Sequence, residues 1–345
     1  MQSNALNQPA TRERLGALAE GGHLSQEELE RAWGLTGLVP NGVAWGRFVS
    51  SALLSLGAGF TLSGIVFFFA YNWADMSNFA KFGLIEVLML AMVGLAFYKG
   101  LDTRLGKLGL MAAAVLVGVL LAVIGQTYQS GADSYALFLN WGLLIVGWVV
   151  IGGFVPLWLL LLVLINLTLG LYWDQRLPYT DTALWETLFL FNGAWLLVWE
   201  YVRRMRLSNT SRKSLPLAAP AHSPSFYRRR WFPQLVALAT FVFVMIPTLE
   251  FIFGNRDSVE VLVAPWLYGG FTLFTIFLYS RHIRDLFILT ICAFSVIVVL
   301  TSAVAEWINS SEFIVYLFLS MLVIGEASVA VNLLRRVSRS WKEAS

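Results

Sequence analysis

Cysteine, histidine and charge are all scarce in this chain, and each scarcity closes off a class of function. The one cysteine, Cys292, sits inside an apolar run, so no disulfide framework holds the fold. It reads as a small packing residue, buried or facing lipid. The three histidines, His23, His222 and His282, are far apart and make no metal-ligand pattern. No catalytic or nucleotide motif stands out, so the expected list of catalytic residues, metals and cofactors is empty. Charged residues make up 13% of the chain and apolar ones 58%, against about 25% and 45–50% in soluble domains. So few charges cannot cover a soluble protein of this size. With a mean hydropathy of +0.69, lipid must be the solvent for much of the chain.

What is present instead is a series of long apolar runs. A spanning helix needs roughly 20 mostly apolar residues, because the hydrocarbon core is about 30 Å thick and the helix rises 1.5 Å per residue. Ten runs meet that need, at approximately 48–72, 82–98, 108–128, 135–152, 154–172, 184–202, 232–254, 261–280, 285–303 and 313–334. The expected fold is an all-α, polytopic transmembrane helix bundle. The fourth and fifth runs are parted only by Gly152, Gly153 and Phe154, with Pro156 just beyond, which spells a tight helical hairpin.

Orientation follows from retention of positive charge in the cytoplasm. With the N-terminus inside, every lysine and arginine except Lys81, Arg176 and Arg256 falls on the inner side. Both termini are therefore expected in the cytoplasm, and the membrane is expected to be a bacterial inner membrane. The organisation reads as a cytoplasmic segment 1–46, six spans in 47–202, a basic linker 203–231, four spans in 232–334 and a basic tail 335–345. The N-terminus lacks the basic-then-apolar pattern of a cleaved signal peptide. Ser25 followed by Glu28 fits a capping box and predicts a short helix from Gln26 to about Trp33. That helix either lies beside the membrane or docks a protein partner. The linker, with Pro216, Pro220 and Pro224 among serines and alanines, reads as disordered. Its arginines (Arg203, Arg204, Arg206, Arg228, Arg229, Arg230) are expected at anionic headgroups, not on nucleic acid.

Small residues recur every fourth position at Ser55, Gly59 and Ser63 and at Ala114, Gly118 and Ala122. Such stripes let helices approach closely and are expected to be packing seams.

Polar groups at membrane depth are costly and so become functional candidates. Glu86, Glu250 and Glu326 lie within predicted spans that offer no lysine or arginine, and they are the candidate proton or substrate site. Each also reads as a protonated carboxyl bonded to a neighbouring helix. A second set gathers toward the predicted outer face: Tyr71, Asn72, Trp73 and Asp75, then Gln126, Tyr128, Gln129 and Asp133, then Asn140, Asn166 and Glu186. Gln126, Gln129 and Asp133, at offsets of three and four, share a helical face. Together these would form an acidic outer vestibule that attracts cations, although solvated helix ends have similar composition.

The stretches FFFAYNWADMSNFAKF, from Phe67 to Phe82, and IGQTYQSGADSYALFLNW, from Ile124 to Trp141, resemble bacterial polytopic membrane proteins catalogued as domain of unknown function 2157. The resemblance rests on Tyr71, Asn72, Trp73 and Asp75, then Gln126 and Tyr128, and covers roughly residues 25–175. It implies a membrane-embedded helical fold and no activity, so it adds no site residues.

Three functions remain open on the residues alone. A proton-coupled transporter or lipid-linked flippase would use the embedded carboxyls. A non-catalytic envelope scaffold or assembly factor would use the N-terminal helix or the central loop to recruit a partner. An embedded enzyme acting on a lipid-linked substrate ranks below both, because the outer loops hold no histidine and few bases. Membrane lipids are partners under every reading, and the substrate is unknown.

Overall fold

The computed structural model describes residues 11–36, 73–128, 133–177, 181–212, 230–254, 259–308 and 313–343, with Gly131 and scattered residues between 42 and 71. All elements among the described residues are helical. The chain divides into two compact units, Met1–Lys81 and Phe82–Ser345.

The first unit contains α1 (Arg12–Glu20) and α2 (Gln26–Leu35). The two helices pack as a hairpin around buried Leu15 and Leu29. The turn between them needs a left-handed residue, which Gly22 supplies at φ 73° without the clash a Cβ would bring. The capping box that opens α2 forms as the spelling implies. The Ser25 hydroxyl accepts from the Glu28 amide, and the Glu28 carboxylate accepts from the Ser25 amide at 2.8 Å. The Ser25 amide, together with the Ser25 hydroxyl that donates to the same carboxylate oxygen at 2.9 Å, holds the Glu28 carboxyl below its usual pKa. The expected first span, 48–72, and its Ser55–Gly59–Ser63 stripe lie largely outside the described residues.

The second unit holds the rest: α3 (Asn78–Lys99), α4 (Arg104–Tyr128), α5 (Ser134–Gly152), α6 (Val155–Arg176), α7 (Asp181–Arg212), α8 (Trp231–Ile252), α9 (Val259–Phe277), α10 (Leu286–Ile308) and α11 (Phe313–Glu343). The first of these, α3, begins just before the unit boundary. A π-helical turn, Leu278–His282, extends α9. Eight helices among the described residues are long and apolar enough to cross a membrane: all of α3–α11 except α7. The expected sixth span, 184–202, is helical within α7 but falls short of that apolarity. Glu186, Asn192 and Glu200, with Trp185, Trp195 and Trp199, make it more polar than its neighbours. Yet α7 carries buried Leu188, Phe189 and Leu196 and packs most extensively on α8.

Packing follows the small residues. In α4, Ala113 and Ala114 are fully buried, and a Cβ added to Gly109 would come within 2.9 Å of the Met92 carbonyl of α3. At Gly118 the space above the backbone is filled by the Trp141 ring of α5. The Trp141 indole N–H donates to the Ala114 carbonyl at 2.7 Å, so the indole is polar-satisfied as well as packed. The α5–α6 hairpin turns on Gly153, whose φ of 52° and ψ of 36° are left-handed, and α6 begins with Pro156 in its first turn. Cys292 is buried in α10 against α9. Residues 213–229, including most of the predicted linker, lie outside the described residues.

Candidate functional site

Among the described residues a buried polar cluster joins the C-terminal half of α7 to the starts of α8 and α10. Glu200 of α7 and Asp285, which caps α10, have side chains only 5% exposed, far below what an unpaired charge tolerates. Arg230, at the head of α8, lies between them. Its Nε donates to Asp285 Oδ2 at 2.7 Å, and its Nη1 stands 3.3 Å from Glu200 Oε1. On the same α7 helix, Arg203 donates to Glu200 at 3.1 Å. Gln234 donates to Asp285 from the next turn of α8, at 3.3 Å. The Tyr279 hydroxyl, buried in the π turn, reaches Glu200 at 3.5 Å. Asp285 Oδ1 also accepts from the Phe287 and Ile288 amides, which fixes the start of α10. Around this network pack Trp199, Phe232, Val236 and Ile288. Its members hydrogen-bond one another, so the arrangement can hold helices together.

This cluster alters one expectation. Arg203 and Arg230 were expected at lipid headgroups, and instead they face buried carboxylates. No sequence argument singled out Glu200 or Asp285. The Glu200–Arg203 spacing of three was the available signal. The partners on α8 and α10 are too distant along the chain for any local pattern to show.

At the opposite ends of α7 and α8, Thr182 donates to Glu250 Oε2 at 2.7 Å. Glu186 lies one turn further along α7. One of its carboxyl oxygens is buried without a hydrogen-bond partner, and Glu260 of α9 repels its charge. Asp133, at the start of α5, pairs with Arg176 at the end of α6. Beside that pair, Tyr135 and Tyr172 meet edge to face at 5.1 Å. Within the bundle, Asn166 of α6 and Asn192 of α7 exchange amide hydrogen bonds of 3.2 and 2.6 Å. Each amide also donates to its own helix, at the Leu162 and Leu188 carbonyls. Asn192 is 1% exposed, and it too escaped the sequence argument.

Glu326 of α11 accepts from Thr301 of α10 at 2.9 Å. It lines a cavity of about 500 Å³ bounded by α9, the π turn, α10 and α11. Apart from Ser280, Cys292 and Glu326, every lining residue is aliphatic.

The remaining candidates are dispersed. Glu86 is exposed on α3, and neither it nor Glu250 lines the cavity of Glu326. Gln126 and Asn140 are exposed on α4 and α5. Tyr128 stacks on Phe82 at 6.2 Å. In the first unit Tyr71 and Asp75 are exposed, and Trp73 takes the Lys81 ammonium over its ring at 5.5 Å. Asn72 and Gln129 lie outside the described residues. Among the described residues no group of histidine, cysteine, aspartate and glutamate side chains could hold a metal ion.

Residues 17–158 match the model of a family described as "Predicted membrane protein (DUF2157)". The match takes in α2 and α3 through α5 and ends in the first turn of α6. It is the family that the Tyr71–Asp75 and Gln126–Tyr128 stretches resemble. No curated protein and no solved structure matches the chain.

Proposed function

We propose that this chain, which carries the predicted-membrane-protein domain over residues 17–158, is a non-catalytic scaffold or assembly factor of a bacterial inner membrane. In this reading it crosses the membrane about ten times, the eight apolar helices being joined by 48–72 and by the 184–202 part of α7. Both termini and the 203–231 linker lie in the cytoplasm, with six spans before the linker and four after it.

The observation that carries the scaffold reading is that the embedded carboxyls do not converge. Glu250 is tied to Thr182 between α7 and α8, and Glu326 to Thr301 between α10 and α11, while Glu86 is exposed on α3. A proton-coupled carrier needs such groups along one water-accessible path. Hydrogen bonds between helix pairs are what structural carboxyls make instead. The α1–α2 hairpin is the candidate docking element for a protein partner.

Two measurements test this reading. Single cysteines introduced on a Cys292→Ser background, near both termini, in the linker and in the 255–258 loop, report sidedness through an impermeant maleimide. The first three should label from the cytoplasm and the last from outside. In-cell cross-linking of the full chain should trap a defined partner that is lost when residues 1–40 are deleted. An unchanged cross-link pattern after that deletion would remove the docking role.

A second reading, a lipid-linked flippase or proton-coupled transporter, draws on the cavity that Glu326 lines at membrane depth. Substrate flux abolished by Glu326→Gln with folding intact would favour it over the scaffold.

A further inference from the structure

We infer that the cavity beside Glu326 holds one acyl chain of an anionic phospholipid from the surrounding bilayer, with the headgroup at Arg281 and Arg336 by its open end. This inference rests on the cavity and its charges, and it stands whether or not the chain is a scaffold.

The cavity is a slot rather than a bowl. Six α10 residues from Leu289 to Leu300 and six α11 residues from Glu326 to Val337 line it, spaced three and four apart on each helix. Two facing stripes of that length give a slot about 16 Å long at 1.5 Å rise per residue. A volume of 500 Å³ drawn out over that length suits one extended chain better than a compact ligand. The helices that form it are all apolar enough to lie in a membrane. The molecules with access to it are therefore lipids.

The two ends differ in chemistry. One is closed by the Thr301–Glu326 hydrogen bond. At the other the π turn contributes Ser280 to the lining, and the Trp341 indole N–H latches that turn to α11 by donating to the Ser280 carbonyl at 2.8 Å. Arg281 adjoins Ser280, and on α11 Arg336 flanks the lined face beside Leu333 and Val337, whereas Arg335 and Arg339 fall on the far side of the helix at 3.6 residues per turn. Arg281 and Arg336 are both exposed, and among the described residues neither is ion-paired. Charge complementarity therefore selects an anionic headgroup, whose chain then enters the slot.

The test uses the full chain reconstituted in phosphatidylcholine vesicles that contain a trace phospholipid with a photoactivatable diazirine in its acyl chain. The probe is either phosphatidylglycerol or phosphatidylcholine with the same chains. Adducts are mapped to peptides by mass spectrometry. The phosphatidylglycerol probe should label segments 289–300 and 326–337 at least about fivefold more than the neutral probe, the preference one arginine contributes at an anionic headgroup. Ala330→Phe, which fills the slot, should remove that excess, and joint replacement of Arg281 and Arg336 by glutamine should reduce it. Equal labelling by the two probes, or no labelling of these segments, overturns the inference. That comparison needs only the wild-type chain, so a variant that fails to fold does not leave the matter open.

Discussion

Replacing Arg230 with methionine removes the cation between two buried carboxylates while keeping much of its packing volume. Glu200 and Asp285 are each only 5% exposed, so the rule for buried pairs applies rather than that for surface ones. Removing one partner of a buried pair costs about 3–5 kcal/mol, because the remaining charge is left without compensation. Here Glu200 keeps Arg203 at 3.1 Å, and Asp285 keeps Gln234 and two backbone amides. The cost should therefore fall at the lower end, about 3 kcal/mol. The assay is unfolding by denaturing detergent in mixed micelles, followed by tryptophan fluorescence and compared at a fixed detergent fraction. Adding Asp285→Asn to Arg230→Met should recover most of the loss, since asparagine still caps α10 and carries no charge. A loss below about 1 kcal/mol, the range of exposed pairs, would refute the reasoning.

Other perturbations have equally definite outcomes. Gly118→Ala should destabilise the protein by about 1–3 kcal/mol in the same assay, because the new methyl must displace the Trp141 ring and strain its bond to Ala114. Asn192→Leu should cost about 1 kcal/mol, as interhelical hydrogen bonds in membranes rarely contribute more, and Asn166→Leu added to it should cost little further. Ser25→Ala should fray α2, read as lost helicity in the isolated 1–40 peptide by circular dichroism if that segment folds alone, or as faster amide exchange at residues 26–29 in the full chain. The Glu28 carboxyl is held low by its bonds to Ser25, so its contribution is present above the unfolded carboxylate range. It is lost as pH falls through the lowered value, so the protection of those amides, relative to their intrinsic exchange rate at each pH, should drop only on acidification.

The parts of the fold legible in the sequence are those written in adjacent residues. Apolar runs long enough to cross a bilayer become helices, as with α3 through α6. Gly152, Gly153 and Pro156 spell the α5–α6 turn, and Ser25 with Glu28 spells the start of α2. Legibility fails where a residue's environment is supplied by another helix. Arginines at the end of an apolar run look the same whether they meet headgroups or, like Arg230, a carboxylate 55 positions away. Asn166 was visible as a polar residue in a span, but its role depends on Asn192, 26 positions on. The lipid-facing slot beside Glu326 has no local signature, since its two stripes read separately as ordinary apolar helix faces. In α7 the tryptophans and buried polar groups lower the apolarity of a helix that nonetheless packs deep in its unit.

Glu250 and Glu326 tie helix pairs together, Glu86 is exposed on α3, and in the scaffold reading none of the three carries protons. The most direct test of that reading is proton flux into vesicles reconstituted with the full chain, driven by an imposed potential and read by an internal pH-sensitive dye. Wild-type chain and the Glu86→Gln, Glu250→Gln, Glu326→Gln triple variant should both match protein-free vesicles. Flux through the wild type that the triple variant abolishes would contradict it.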